Sequence, residues 1–130
     1  MILLDTCVLV FDALTPERLS GKARAALDRG EADGMLACAD ISLWEMAMLT
    51  GKGRLDPGTE AETFCRLAVA ARGVEVLPIT PAIAADSVAL KLPHGDPADR
   101  LIAATARDRD AMLVTCDERL LASPEVATLW

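Results

Sequence analysis

The chain has 130 residues, which is enough for one domain and too little for two domains of ordinary size. Apolar residues make up 52% of it and charged residues 25%, a composition that excludes an intrinsically disordered protein. The net charge of −7 argues against a protein that binds nucleic acid through a broad basic surface. It is compatible with an enzyme that meets one phosphate through metal ions held by carboxylates.

Short apolar runs alternate with amphipathic stretches along the first half of the chain. Pro16 predicts a helix start and Gly30 a helix end, while Thr59 predicts a helix cap. The predicted elements, in chain order, are a strand at 1–4 with a short helix after it, a helix at 16–30, a strand at 35–39 and helices at 41–50 and 59–73.

The second half of the chain continues this alternation. Thr80 followed by Pro81 predicts one helix start, and Asp96 followed by Pro97 predicts another. The predicted elements are a strand at 74–79, helices at 81–91 and 96–107, a strand at 111–115, a short helix at 118–122 and a candidate last strand at 126–130. The pattern indicates an α/β fold with one domain over residues 1–130, in which helices cover both faces of a parallel sheet of four or five strands.

The lengths of the apolar runs and the spacing of the cysteines both indicate a protein of a reducing compartment. No apolar run in the sequence is long enough to span a bilayer or to act as a signal peptide, so we expect a cytoplasmic protein without membrane contacts. The four cysteines are widely spaced, which disfavours a zinc site or a disulfide framework. We interpret Cys7, Cys38, Cys65 and Cys116 as small buried side chains in a reducing compartment.

Polar side chains follow the predicted strands at the edge where ligands bind in an open parallel sheet. They are Asp5 after the first strand, Asp40, Ser42 and Glu45 after the second, and Thr115 and Asp117 after the fourth. Asp99 lies on the helix that leads into the fourth strand. Carboxylates gathered at one edge repel each other unless a divalent cation neutralises them. Oxygen ligands favour Mg²⁺ or Mn²⁺ over zinc.

Each of these acids also has a structural explanation. Ser42 and Glu45 have the spacing of a capping box, in which the carboxylate returns to the serine amide. Asp96 fits a helix N-cap with Asp99 in the first turn. Asp117 can cap the helix that follows it. For single residues, the sequence leaves both explanations open.

Considered together, four segments carry a resemblance to a known family. They are LLDTCVLV at 3–10, ISLWEMAMLTGKGRL at 41–55, LPHGDPADRLIAATA at 92–106 and LVTCDERLL at 113–121. Their order and spacing resemble those of PIN-domain proteins, and more narrowly those of the VapC-like toxins of bacterial toxin–antitoxin pairs. The resemblance extends over nearly the whole chain. It implies a PIN-like α/β/α sandwich and a metal-dependent ribonuclease.

The resemblance also implies roles for individual residues. The positions that match the four acids of the family are Asp5, Glu45, Asp99 and Asp117. The resemblance implies that Asp5, Asp99 and Asp117 are metal ligands. Glu45 is either a further ligand or the group that orients the attacking water. Thr6 and Thr115 match hydroxyl positions, and with Ser42 and Asp96 they form a supporting or substrate-contacting set. Asp96 reads mainly as a helix cap, and Asp40 matches no family acid.

The implied reaction is hydrolysis of RNA with one or two Mg²⁺ ions, with Mn²⁺ as the alternative. A cognate antitoxin is expected to neutralise the protein, and relatives suggest a homodimer with candidate surfaces at 59–73 and 81–91. We also consider His94 as a substrate contact. The alternative function is a catalytically silent PIN-fold interaction module, which the complete set of four acids disfavours. Phosphate transfer of the haloacid dehalogenase type is disfavoured because Cys7 stands where that chemistry needs a second aspartate.

Overall fold

The computed structural model describes residues 1–93 and 95–130; the hypothesis about His94 therefore lies outside the described residues. The strands are β1 (Ile2–Leu4), β2 (Leu36–Ala39), β3 (Glu75–Leu77), β4 (Met112–Val114) and β5 (Thr128–Leu129). They form one parallel sheet in the order β3-β2-β1-β4-β5. The candidate last strand of the sequence is therefore real, because β5 pairs with β4.

The described part of the chain contains seven α-helices around this sheet. They are α1 (Thr6–Leu14), α2 (Gly21–Ala32), α3 (Ile41–Gly51), α4 (Ala61–Ala70), α5 (Pro81–Ala89), α6 (Pro97–Asp108) and α7 (Glu118–Ala122). Within the described ranges, every helix is too short or too polar to cross a membrane.

Two hydrophobic cores lie on opposite faces of the sheet, because successive side chains of a strand point to opposite sides. Leu3 of β1 is buried in one core together with Ile102 of α6. The next residue, Leu4, is buried in the other core with Val8 of α1 and Leu27 of α2. The predicted α/β/α sandwich with a parallel sheet is confirmed.

The strand order determines where a ligand can bind. From β1 the chain moves outward to β2 and β3, and then returns to place β4 on the other side of β1. The order reverses between β1 and β4, and in such sheets the crevice beyond that reversal is the usual binding site. Asp5 directly follows β1, and Thr115 directly follows β4.

Two predicted helix boundaries are wrong in the region 16–30. Pro16–Arg18 forms only a 3₁₀ turn, and α2 begins after Ser20, whose side chain accepts a hydrogen bond from the Ala23 amide at 3.0 Å. Gly30 does not end the helix, which continues to Ala32. A Cβ atom on Gly30 would lie 2.4 Å from Cδ2 of Leu36, so this glycine permits close packing of α2 on β2.

The predicted cap at Thr59 is also wrong. Helix α4 begins at Ala61, with Glu60 at the N-cap position and without a side-chain hydrogen bond at that cap. The predicted start of α5 is confirmed, because the Thr80 hydroxyl accepts from the Ile83 amide at 3.2 Å and Pro81 is the first helical residue.

Candidate active site

A cavity of about 340 Å³ opens beyond the carboxyl ends of β1 and β4. Its lining includes all four acids that the sequence singled out, namely Asp5, Glu45, Asp99 and Asp117. They arrive from four places in the chain: the β1–α1 junction, α3, the first turn of α6 and the segment before α7. Among the described residues that line this cavity there is no Lys or Arg.

Asp5 is buried and held by three hydrogen bonds. Its carboxylate accepts from the Thr6 amide at 2.7 Å, from the Thr115 hydroxyl at 2.6 Å and, more weakly, from the Cys7 thiol at 3.6 Å. Burial raises the pKa of Asp5, and the charge of Asp117 adds to that rise, while the three hydrogen bonds oppose it. The Asp5 side chain also caps α1.

Glu45 is held by the Thr6 hydroxyl and not by a capping box. Thr6 Oγ1 donates to Glu45 Oε1 and lies 2.9 Å from the fully buried Ser42 hydroxyl. Asp40, and not Ser42, is the N-cap residue of α3, and its side chain makes no cap hydrogen bond. Of the two explanations that the sequence left open, the capping box is therefore wrong, and Glu45 lines the same cavity as Asp5.

Asp96 and Asp99 occupy the start of α6 in different ways. Asp96 Oδ1 caps the helix by accepting from the Ala98 and Asp99 amides at 3.0 and 3.4 Å. Asp99 is buried, and burial together with neighbouring negative charge raises its pKa to about 7. The neighbouring charges are those of Asp5, Asp96, Asp117 and Glu45. Burial likewise raises the pKa of Glu45, against the hydrogen bond from Thr6.

Thr115 connects the first and last acids. Its buried hydroxyl donates to Asp5 and accepts from the backbone N–H of Asp117 at 3.0 Å. Asp117 in turn caps α7, accepting from the Arg119 and Leu120 amides at 2.8 and 3.2 Å. The cap explanation and the cavity position therefore both hold for Asp117.

The residues fit a hard divalent cation by their chemistry. Across the described ranges no group of three or more His, Cys, Asp or Glu side chains is arranged so that it could hold a metal ion. The donor set nevertheless consists of carboxylates in one cavity without a cationic side chain in its described lining. Burial and, after it, the charges of the neighbouring carboxylates raise the pKa of Asp99, and a divalent cation relieves that repulsion.

Two features near this cavity were not predicted from the sequence. The sulfur atoms of Cys7 and Cys116, both in the cavity lining, lie 3.1 Å apart. An apolar groove of about 630 Å³ adjoins Glu45 and Asp96 and is lined by Ile41, Trp44, Met48, Pro97 and Ala98. No sequence signal indicates either feature, because both depend on residues from separate elements.

Comparison with known proteins identifies the family. The sequence profile of the PIN domain matches residues 2–125. The chain belongs to the PIN domain family. Over 132 aligned residues it is 38% identical to Ribonuclease VapC22 of Mycobacterium tuberculosis strain H37Rv, an alignment that covers 99% of this chain and 98% of that protein.

Solved structures support the same fold. The crystal structure of VapBC2 from Rickettsia felis, bound to a DNA fragment from its promoter, matches with a TM-score of 0.74 and 19% identity, covering 99% of this chain and 98% of that chain. The crystal structure of FitAcB from Neisseria gonorrhoeae matches with a TM-score of 0.69 and 26% identity, covering 100% of this chain and 97% of that chain. Both matches extend over the whole α/β/α sandwich.

Proposed function

We propose that this PIN-domain protein is a divalent-metal-dependent endoribonuclease, the toxin of a toxin–antitoxin pair, and that a cognate antitoxin neutralises it. The observation that carries the proposal is the convergence of four acids from separate elements on one cavity. The similarity to a protein named as a ribonuclease supports the RNA substrate. A structural match to a toxin–antitoxin complex from Klebsiella pneumoniae, with a TM-score of 0.65 and 23% identity, fits the antitoxin partner.

The proposed ligands of Mg²⁺ or Mn²⁺ are Asp5, Glu45, Asp99 and Asp117. When bound, such a cation supplies activation of water and neutralisation of charge on the scissile phosphate. The amide of Thr6 and the hydroxyl of Thr115 donate to the Asp5 carboxylate and so fix the orientation in which it would bind the cation. Hydrogen bonds of this kind fix the direction of ligand oxygens and tune their basicity.

Glu45 serves either as a further ligand or as the group that orients the attacking water. The Thr6 hydroxyl occupies Oε1 of Glu45, which leaves Oε2 for a cation or a water molecule. A carboxylate in this position can accept a proton from water as its O–H bond breaks. The raised pKa of Glu45 brings it closer to the range in which such a transfer is favourable.

The protein is proposed to act in the cytoplasm as a homodimer that binds its antitoxin. The candidate surfaces at 59–73 and 81–91 contain large apolar side chains that are exposed in the single chain, Leu67 on α4 and Val88 on α5. Trp44 on α3, which is 58% exposed, adds a third apolar site beside the cavity. An interface that covers these side chains would remove their apolar surface from water.

A short structured RNA incubated with the purified protein tests the proposed activity. Cleavage is expected with Mg²⁺ or Mn²⁺ and is expected to stop in excess chelator. Asp99→Asn is expected to lower the cleavage rate by at least 100-fold, because it removes a charged ligand. The matched control is Asp33→Asn, an exposed residue at the end of α2, which is expected to cleave like the original protein.

The same assay separates the enzyme from the silent interaction module. A silent module leaves the RNA intact at every metal concentration while the circular dichroism spectrum stays that of a folded protein. Equal cleavage by the original protein in Mg²⁺ and in chelator would contradict the metal-dependent mechanism. Equal rates for Asp99→Asn and Asp33→Asn would contradict the assignment of the cavity as the active site.

A further inference from the structure

Two cysteines in the lining of the acidic cavity form a close pair. Cys7 lies two residues after Asp5 in the first turn of α1, and Cys116 directly precedes Asp117. Their sulfur atoms are 3.1 Å apart, although the residues are 109 positions apart in the sequence. The fold therefore brings two distant thiols into direct contact.

This pair differs from the other two cysteines of the chain. All four are free thiols in the structure. Cys38 is buried within β2, and the Cys65 thiol donates to the backbone carbonyl of Leu43 at 3.4 Å. Only small side chains at a packing position are needed to explain those two. Cys7 and Cys116 are half-buried and line an open cavity, where a small molecule can reach them.

We propose that Cys7 and Cys116 form a reversible dithiol–disulfide pair, oxidised by a low-molecular-weight disulfide, that closes across the acidic cavity. A disulfide needs its sulfur atoms about 2.05 Å apart, so the two side chains have to approach by about 1 Å from the observed 3.1 Å. An approach of about 1 Å is small for two side chains. Cys7 lies in the first turn of α1, and Cys116 lies in the segment between β4 and α7.

The reaction is thiol–disulfide exchange in two steps. The thiolate of one cysteine attacks the small disulfide, so that a mixed disulfide forms and one small thiol leaves. The second cysteine then attacks the protein sulfur of the mixed disulfide, and the Cys7–Cys116 bond forms as the second small thiol leaves. The protein loses two electrons and two protons, and the small disulfide gains them as two thiols.

The bond would act on both sides of the cavity. Oxidation removes the Cys7 thiol hydrogen, which is one of the three donors to Asp5. It also ties Cys7 to Cys116, whose neighbours Thr115 and Asp117 are hydrogen-bonded to each other, and Thr115 is hydrogen-bonded to Asp5. We therefore expect the disulfide form to bind a divalent cation at least threefold more weakly than the dithiol form.

Metal-free protein equilibrated in glutathione buffers of increasing oxidised-to-reduced ratio provides the test. Exchange is expected to be slow, since burial raises the pKa of the Cys7 thiol and the thiolate is the reactive form; incubation therefore continues until the reading is constant. The samples are then quenched with acid, unfolded and alkylated. Peptide mass spectrometry is expected to show that Cys7 and Cys116 are protected from alkylation and linked by a disulfide. Cys38 and Cys65 are expected to remain alkylated.

Variants and a second readout make the test decisive. Cys7→Ser and Cys116→Ser are each expected to stop at a glutathione adduct on the remaining cysteine, while Cys65→Ser is expected to behave like the original protein. The oxidised protein is expected to melt at a higher temperature, because the bond closes a long loop of the unfolded chain. Full alkylation of Cys7 and Cys116 in the most oxidising buffer would overturn the pair. An unchanged Mn²⁺ dissociation constant after complete oxidation would overturn its effect on the cavity.

Discussion

Thr115 is the residue on which the geometry of the cavity most depends. Its single hydroxyl donates to Asp5 and accepts from the Asp117 amide, so it sets the relative position of the first and last acids. Thr115→Val keeps the shape of the side chain but removes the hydrogen bond to the Asp5 carboxylate and the one from the Asp117 amide. We expect a loss of about 1–3 kcal/mol in the free energy of unfolding and weaker Mn²⁺ binding. Urea unfolding and Mn²⁺ titration measure the two effects.

A buried threonine elsewhere provides the control for this substitution. Thr105 on α6 is also buried, and its hydroxyl donates to the Leu101 carbonyl one turn earlier. Thr105→Val is expected to change Mn²⁺ affinity little, whatever it does to stability. Thr115→Ser keeps the hydroxyl and is expected to retain Mn²⁺ binding. Equal Mn²⁺ affinities for Thr115→Val and Thr105→Val would show that Thr115 has no positioning role.

The raised pKa of Asp99 predicts how the stability of the metal-free protein depends on pH. Burial and the charges of Asp5, Asp96, Asp117 and Glu45 raise its pKa to about 7, whereas in the unfolded chain it titrates near 3.8. Between these values the folded state binds more protons than the unfolded state, so lowering the pH stabilises the folded state. We expect the melting temperature in chelator to rise as the pH falls from 8 towards 5.5.

Two comparisons identify Asp99 as the source of this pH dependence. In Asp99→Asn the rise in melting temperature between pH 8 and 5.5 is expected to be much smaller, while Asp33→Asn is expected to keep it. Saturating Mn²⁺ is expected to reverse the trend, because protons compete with the cation for the same carboxylates. The explanation fails if the metal-free profiles of the original protein and Asp99→Asn coincide.

At the scale of elements, the packing of α2 on β2 depends on Gly30. A Cβ atom there would lie 2.4 Å from Cδ2 and 3.0 Å from Cγ of Leu36, a branched side chain fixed in the core. Gly30→Ala is therefore expected to lower the free energy of unfolding by about 1–3 kcal/mol, even though alanine favours a helix. Urea unfolding of purified protein measures this change.

Gly51 offers the opposite case in another helix. It closes α3, and no atom lies within 4 Å of the Cβ that alanine would add. Gly51→Ala is expected to leave stability unchanged or to raise it by up to about 1 kcal/mol. Destabilisation of the two variants by the same amount would show that close packing at Gly30 is not the cause.

Element boundaries show which parts of the fold could be predicted from the sequence. The alternation of buried strands and amphipathic helices is local, so it predicted the sheet, the layers and the position of every strand. The start of α2 was missed because Pro16 and Ser20 are both helix-start signals within one turn of each other. Arg18 lies over the Phe11 ring at 4.1 Å from its centroid, a contact between separate segments that stabilises the 3₁₀ turn before the true cap.

The candidate site was predictable to the extent that strand ends are predictable. The acids follow strands or begin helices, and parallel strands bring those points to one edge. Contacts between side chains were not predictable. Arg100 is an example: its guanidinium donates to the carbonyls of Ser87, Leu90 and Leu92. Arg100 thus fixes the segment before α6. The position of Arg100 next to Asp99 in the sequence does not indicate this role.

The molecule as a whole leaves apolar side chains exposed on helices that flank α6. Helices α3 and α5 both pack against α6, and they carry Trp44, which is 58% exposed, and Val88, which is 83% exposed. A second copy of the chain that covers these helices would bury both side chains and stabilise a dimer. We therefore expect a homodimer at tens of micromolar, measured by light scattering coupled to size-exclusion chromatography.

Charge placed on this surface tests the dimer without disturbing the core. Val88→Glu is expected to shift the protein to a monomer, because an unpaired carboxylate buried at an interface costs several kcal/mol. Met112→Glu is the matched control: Met112 is 41% exposed, and it lies on β4 and not on α3 or α5. It is expected to remain dimeric. A monomeric original protein at tens of micromolar would contradict the dimer. A dimeric Val88→Glu variant would place the interface elsewhere. The exposed Leu67 of α4 would then be the next residue to substitute.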